Sequence, residues 1–524
     1  HFVYASHIRD KSGALVTSAA LNLIDFEVLE ARRTVEDFQK TPKALAEHLL
    51  KAIPTGNWSD LEAVVDVATL TDEFMGAGAW AKLNESERDQ MSSAYRRVLS
   101  AIIEYSRISQ EKATMRLMHL EEKGNVAEAI CWLGPSDLLI KLRLVRNNDV
   151  WYLVEVWQTD SHLRSVAETI RPTIVSIESA RAGKRIAARQ TDHARVLTLV
   201  QHDAAKAVVA ADEALKAKPN DQGLRLLKAI AMSQLENKEA EAIKLLRELS
   251  KEDFAPAIYR LAYSLDLSDD ENEKKEAIAV YERYVNLEPY DPRGLLELAI
   301  AYDGASDFVK AESAYRKYLE LDPANSVGYS DLVTFLVKQN RLGEAGPVLI
   351  AAEKNVGTDR DIFGAVMVDL ADLDDSTYAI KFAASQPERM KTSSDANLAL
   401  GRIYANAGKY ALAVPLLQTA MKLDEEWDEP YLVMAFIHRK QLRFVAALKA
   451  ADQAIAIDEE DSDGHYERAC ALARLGRIKE AMSSLEKAVE LLPERAGWMA
   501  AEKDLKPLAN LPAFKKLLPP PEKP

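Results

Sequence analysis

Three consecutive stretches, starting at Ser394, Asp428 and Ser462, stand 34 residues apart and repeat one pattern of small and large apolar residues. In the third stretch Gly476, Ala481, Leu485, Ala488 and Pro493 occupy places fifteen, twenty, twenty-four, twenty-seven and thirty-two; the middle one has Ala447, Ala451 and Ala454 at the same apolar places, and the first has Leu400, Gly401, Tyr404, Ala413, Leu417 and Ala420. Small residues at places eight and twenty let two helices of one unit approach closely, and larger neighbours fill the gaps beside them. A proline near the end stops the second helix, because proline cannot donate within a helix interior. Such a unit cannot bury its apolar face alone, so the period demands a stack of helix pairs.

Counting backwards by the same step keeps the register. The unit from Pro292 carries Leu298, Ala299, Tyr302, Ala311, Tyr315 and Pro323, and the unit from Ser326 carries Leu332, Leu336, Ala345, Leu349 and Ala352. From Arg360 the pattern degenerates to Ala379 and Ala383 around an acidic, shortened turn at Asp372, Asp374 and Asp375. Upstream, Leu261, Ala262, Ala277, Tyr281 and Pro289 make a unit with extra residues in the turn from Leu267 to Lys274; two weaker units lie around Leu227, Ala231 and Ala242, and around Ala207, Ala214 and Pro219. The expected total is about eight helix pairs. Leu505, Leu508, Leu511, Phe514 and Leu517 then give the tail from Ala501 to Leu518 the amphipathic period of a capping segment.

The spacing resembles the tetratricopeptide repeat (TPR) family. The resemblance implies a superhelical array whose places two, five, nine, twelve and thirteen line a concave groove. In the last three repeats these places include Arg402, Asn406, Leu432, Phe436, Arg439, Lys440, Tyr466 and Arg474, with acidic residues Asp395, Glu429 and Asp463 at place two. The expected partner is a protein, held as an extended acidic peptide by arginine and lysine pairing with aromatic contacts between. Leu398 and Arg402 depart from the lysine and asparagine of the carboxylate clamp in chaperone-binding members, which disfavours chaperone docking.

Before the repeats the period changes. Stretches from Leu15 to Phe38 and from Pro42 to Ile53 read as helices, as do two between Asp60 and Ser106, the second carrying Met91, Tyr95, Val98, Leu99, Ile102 and Ile103. Four strands follow, Ala113 to Glu122, Val126 to Leu133, Leu138 to Arg146 and Val150 to Trp157, separated by the turn signals Lys123-Gly124-Asn125, Gly134-Pro135-Ser136-Asp137 and Asn147-Asn148-Asp149. Short turns between strands predict an antiparallel meander. A closing helix from Ser161 to Ala180 and a basic joint, Arg181 to Arg189, complete the expected organisation: an α+β domain over 1–180, a linker over 181–189, an all-α TPR solenoid over 190–493, and a C-terminal cap and tail over 494–524.

The α+β segment resembles MlaC-type periplasmic phospholipid-binding domains of the NTF2-like fold, through Val64 to Trp80, Tyr95 to Ser106, and Trp151-Tyr152-Leu153-Val154-Glu155-Val156 ahead of Ser161-His162-Leu163 and Arg171; Asp160 stands where that family usually has glycine. A curved sheet facing helices can enclose an apolar pocket, so Trp132, Trp151, Tyr152 and Trp157 read either as the lining of an apolar ligand cavity or as filled core positions. Strict alternation along the last strand puts Val150, Tyr152, Val154 and Val156 on one face and Trp151, Leu153 and Trp157 on the other.

Catalytic signatures are missing from the sequence. Ser484 and Lys487, like Ser109 and Lys112, match Ser-x-x-Lys without companion motifs; Gly76 and Gly78 lack the third glycine of a dinucleotide loop; and the nine histidines show no metal spacing. No metal or cofactor is expected. Cys131 and Cys470 stand far apart without a Cys-x-x-Cys, and fix no redox compartment. A net charge of -15 argues against nucleic-acid binding. No apolar run reaches bilayer length, and a start at His1 suggests a removed leader or anchor. Together these readings predict a non-enzymatic scaffold in a bacterial envelope complex, periplasmic or facing the periplasm, with membrane association only through an anchor or a partner. A cytoplasmic setting stays open, and a phospholipid carrier docked by its repeats is the alternative.

Overall fold

The computed structural model describes residues 39–55, 64–108, 114–134, 138–158, 173, 192–357 and 361–518. The expected helices at Leu15 to Phe38 and Ser161 to Ala180, and the joint at Arg181 to Arg189, lie outside them. The chain divides into two compact units, one ending at Glu297 and one beginning at Leu298. No helix among the described residues is long and apolar enough to cross a membrane.

The first unit opens with helices α1 (Pro42–Thr55), α2 (Val67–Met75), α3 (Ala79–Lys82) and α4 (Glu85–Ile108), then strands β1 (Thr114–Lys123), β2 (Val126–Gly134), β3 (Leu138–Asn147) and β4 (Val150–Gln158). The strands pair antiparallel in sequence order, the meander that their turn signals require. Gly124, at φ 65°, and Asn148 and Asp149, at φ 51° and 64°, supply the left-handed backbone of the β1–β2 and β3–β4 turns. One sheet face carries Ala127, Ala129, Cys131, Ile140, Leu142, Leu144 and Val156, buried together with Leu45, Leu49, Val64, Met91 and Tyr95 from the helices.

Strict alternation fails on β4. Pairing with β3 steps from Arg143 opposite Glu155 to Leu144 opposite Leu153, so Val154 bulges out of register. Its carbonyl instead accepts a 2.9 Å hydrogen bond from the buried Tyr95 hydroxyl. The bulge turns Trp151 and Leu153 to the same core as Val154 and Val156, which corrects the expectation of two separate apolar sets.

The opposite sheet face meets the repeats within the same unit. Lys141 Nζ lies 2.9 Å from Glu288 Oε1, and the His119 ring stacks on Tyr290 with centroids 4.5 Å apart and planes 13° from parallel. The unit continues through α5 (Asp192–His202), α6 (Ala204–Ala217), α7 (Gln222–Ser233), α8 (Glu239–Ser250), α9 (Ala255–Asp266) and α10 (Glu271–Leu287). Asp203, Asp221 and Asp270 cap α6, α7 and α10 by accepting from backbone N–H groups that a helix start leaves unpaired.

The division falls inside α11 (Pro292–Gly304). The second unit proceeds through α12 (Phe308–Leu321), α13 (Ser326–Lys338), α14 (Leu342–Val356), α15 (Ile362–Ala371), α16 (Thr377–Ser385), α17 (Ser394–Asn406), α18 (Tyr410–Leu423), α19 (Glu429–Lys440), α20 (Phe444–Ile457), α21 (Ser462–Arg474) and α22 (Ile478–Leu491). The described residues thus hold nine helix pairs, one more than the count read from spacing. Ala447, Ala481 and Ala488 are fully buried, and a Cβ on Gly401 would meet Leu417 Cδ2 at 2.9 Å, so the small places are small because neighbouring side chains already occupy the space. After α22 come α23 (Ala496–Met499), a 3-10 turn (Lys503–Leu508) and α24 (Pro512–Leu517). Leu505, Leu508 and Phe514 bury against the last repeat and close its apolar end.

Candidate functional site

Helix starts fix where the groove side chains stand. In α19, Leu432, Phe436, Arg439 and Lys440 follow one another at helical spacing, so all four belong to one flank of the helix. Their environments nevertheless differ sharply. Lys440 is exposed, makes no ion pair among the described residues, and holds its ammonium 5.1 Å from the centre of the Phe436 ring. Leu432 and Phe436 are half-buried. On α17, Asn406 is exposed, and Arg402 is exposed while pairing across to Glu429 at 3.0 Å.

Arg439 departs from the sequence expectation. It is 3% exposed and built into the molecule. Its Nε and Nη2 donate to the two Glu467 oxygens, each at 2.9 Å, while Nη1 donates to Asp504 Oδ2 at 2.6 Å and lies 3.1 Å from Glu502 Oε2. This fork ties α19 to α21 and to the capping turn. Burial alone would weaken the guanidinium's hold on its proton, but the charge of Glu467 and the hydrogen bonds overcome it and push the pKa up. Glu467 moves the other way from an ordinary ion-paired carboxylate: burial, only partly offset by Arg439, raises its pKa.

Arg474 and Tyr466 are also drawn inward. The Arg474 guanidinium covers the Phe444 ring at 4.7 Å and donates to Asp504 Oδ1 at 3.3 Å, leaving its side chain 36% exposed. Tyr466 lies beneath the buried Arg495 guanidinium, 5.2 Å from its ring centre, and burial pushes its phenol pKa up. Arg495 in turn pairs with Asp463 at 2.6 Å and donates to Ser462 Oγ at 2.8 Å. Sequence reading missed Glu467, Glu502, Asp504 and Arg495. Glu467 sat one place from a groove position, and the other three belong to a cap whose return path the period does not encode.

Burial at the place-two acids raises the pKa of both Asp395 and Glu429, so these carboxylates stand in water-poor surroundings. Of the expected groove residues, Arg402, Asn406 and Lys440 are therefore exposed and Leu432 and Phe436 half-buried, beside a layer where arginines and carboxylates pair with each other.

In the first unit the four aromatic residues expected to line a cavity separate. Trp151 packs into the helix-facing core. Trp132, 1% exposed, pairs in register with Arg116 and Leu139 and so belongs to the opposite face, with its indole N–H buried and unpartnered. Tyr152 and Trp157 pair with Val145 and Lys141, register positions on that same second face; the Trp157 side chain lies outside the described residues. Among the described residues, Trp151 thus stands in the helix-facing core and Trp132 on the opposite sheet face.

Models of the tetratricopeptide repeat match residues 269–326, 394–426 and 462–495. The chain carries TPR repeats in the register read above. Among solved structures, the MamA protein matches at 18% identity over 39% of this chain and 93% of that one, with a TM-score of 0.23. YrrB, described as a TPR protein with an unusual peptide-binding site, matches at 17% identity over 41% and 93%, with a TM-score of 0.21. Yeast Tom70 matches at 13% identity over 67% and 73%, with a TM-score of 0.35. No curated protein matches the chain. The MlaC-type resemblance receives no support from these comparisons.

Proposed function

We propose that this protein is a non-enzymatic scaffold that holds protein partners in the groove of its TPR array. The observation that carries the reading is Lys440 over Phe436: an exposed ammonium without an ion pair, resting on a half-buried ring beside Leu432, performs no packing task that a solvated lysine would not. Such a side chain suits pairing with a carboxylate of an extended segment, while Phe436 and Leu432 offer it apolar contact and Asn406 a polar one. Acidic peptide segments are the partner chemistry that this end of the groove favours.

Capture from a whole-cell extract with wild type and the Arg402→Glu/Lys440→Glu variant tests this. Both side chains are exposed, so charge reversal repels an acidic ligand at little packing cost, and because Arg402→Glu also gives up the pair with Glu429, the melting temperature of the variant is measured alongside. Equal recovery of the same partners would move the contacts elsewhere. The envelope setting and the lipid-carrier alternative rest on sequence resemblance, and Trp151 is buried in the helix-facing core. Lipid extraction and mass spectrometry of purified protein decide that alternative: bound phospholipid would revive it.

A further inference from the structure

In the last repeats, place twelve of one unit and place six of the next form an ion pair, Arg439 with Glu467. In the unit beginning at Pro292 place twelve is Asp303 and place six of the next unit is Asp331, and Lys338, at place thirteen of that next unit, neutralises Asp303 at 2.7 Å. The unit beginning at Ala255 has no cation at place twelve, nor at place six or thirteen of the unit that follows it. Its place twelve is Asp266 and the next place six is Glu297, so acid faces acid. Burial holds both carboxyls above their ordinary pKa values, against the opposing charge of Lys274 for Asp266 and of Arg293 for Glu297, and the Asp266 charge raises Glu297 further.

Two cations act on these carboxyls, Arg293 and Lys274, and both are paired with other anions. Arg293 is held by Asp291 through Nε at 2.9 Å and through Nη2, and its guanidinium covers the Tyr259 ring at 5.6 Å. Lys274 pairs with Glu271 at 3.1 Å. Among the described residues the Glu297 side chain accepts from a neutral donor, the Tyr259 hydroxyl at 3.3 Å. A second observation is independent of the acids. Tyr281 is fully buried, its hydroxyl has no hydrogen-bond partner, and burial followed by the charges of Glu297 and Asp266 drives its pKa up. Tyr259 and Tyr281 meet edge to face at 6.3 Å, and Tyr263, 38% exposed, opens the cluster to solvent.

We infer that Asp266 and Glu297, walled by Tyr259, Tyr263 and Tyr281, receive the ammonium or guanidinium of a lysine or arginine side chain on a bound partner segment. Two carboxylates that make no ion pair among the described residues supply the charge, the tyrosine rings supply faces that attract cations, and the Tyr281 hydroxyl gains a partner when a polar group enters. The inference rests on the protein-binding reading of the array and adds a basic anchor to it, distinct from the acid-seeking Lys440.

The test uses the full chain and arrays of peptides with a fixed central residue and randomised flanks. Peptides centred on lysine or arginine should be retained at least about tenfold better than those centred on norleucine or glutamate, a difference worth about 1.4 kcal/mol. Asp266→Asn/Glu297→Gln should lose that preference. Asp266→Arg should lose it as well while keeping or raising the melting temperature, because it recreates within the chain the pair that Arg439 makes with Glu467. Equal retention of lysine and norleucine peptides, or wild-type preference in a folded Asp266→Arg protein, overturns the inference. If Arg402→Glu/Lys440→Glu loses its partners while Asp266→Arg keeps both partners and basic peptides, the basic anchor is wrong and the scaffold reading stands.

Discussion

Gly328 lies under the ring of Tyr318: a Cβ at that position would fall inside contact distance of Cε1 and stand 2.6 Å from Cδ1. The same exchange of sizes occurs ten residues apart in the preceding repeat, where a Cβ on Gly294 would meet Tyr284 Cδ1 at 2.5 Å. Place twenty-seven is alanine in the last three repeats, Ala420, Ala454 and Ala488, yet tyrosine here, and glycine at place three of the next unit makes the room. Gly328→Ala should therefore cost about 1–3 kcal/mol by overpacking. In a Tyr318→Ala background the same substitution should cost almost nothing, and urea unfolding of the four proteins should show a coupling of about 0.5–3 kcal/mol. Additive losses would mean that the ring and the glycine do not compete for one space.

Arg439 and Lys440 are neighbours with opposite expected behaviour. Arg439→Ala leaves Glu467, Glu502 and Asp504 without their shared buried cation, which should destabilise the C-terminal end by about 3–5 kcal/mol. Lys440→Ala should change stability by less than about 0.5 kcal/mol. Hydrogen exchange over the 3-10 turn (Lys503–Leu508) is the direct readout, since Arg439 fastens that turn through Asp504 and Glu502. Unaltered protection in the Arg439 variant would show that apolar burial of Leu505 and Leu508 holds the cap unaided.

The architecture was legible because its cause is periodic. Places for Gly401, Ala447 and Ala481 follow from helix approach, and four strands could be bounded to within a residue or two by Gly124, Asn148 and their neighbours, because turn chemistry is local. Three features were not legible for the same reason. The Val154 bulge depends on which β3 residue pairs with Glu155; the burial of Arg439 depends on Asp504, a residue 65 positions later that reaches it only because the tail folds back; and the Tyr318 to Gly328 exchange violates the alanine that the repeat pattern expects. Each is set by tertiary partners, which override what a position's residue type suggests.

The sheet's second face is fastened to the repeats by Lys141 and Glu288, whose side chains are 19% and 16% exposed. Lys141→Glu places two carboxylates together in that partly buried position and should lower the melting temperature, whereas adding Glu288→Lys restores an attractive pair. The His119 ring stacked on Tyr290 sits beside it, so the loss should be local. If the doubly reversed protein melts no higher than Lys141→Glu alone, the pair does not fasten this face.

Glu297 offers the sharpest pH test, since burial raises its pKa in the folded chain above the value of 4.5 for a free glutamate. Below the unfolded pKa the group is protonated in both states and costs nothing. As pH rises from there through the higher folded value, the unfolded chain releases its proton first, so the native state carries a growing penalty that is complete once both forms are ionised. Glu297→Gln removes the penalty while keeping a carbonyl to accept from the Tyr259 hydroxyl. The variant should thus melt higher than wild type at neutral pH, with the gap closing as pH falls toward about 4. A basic peptide seated at Asp266 and Glu297 should shrink the same gap from the other side, by raising the wild-type melting temperature at neutral pH and leaving Glu297→Gln less affected. A gap that stays constant from neutral pH down to about 4 would show that the carboxyl of Glu297 ionises as freely in the folded chain as in the unfolded one.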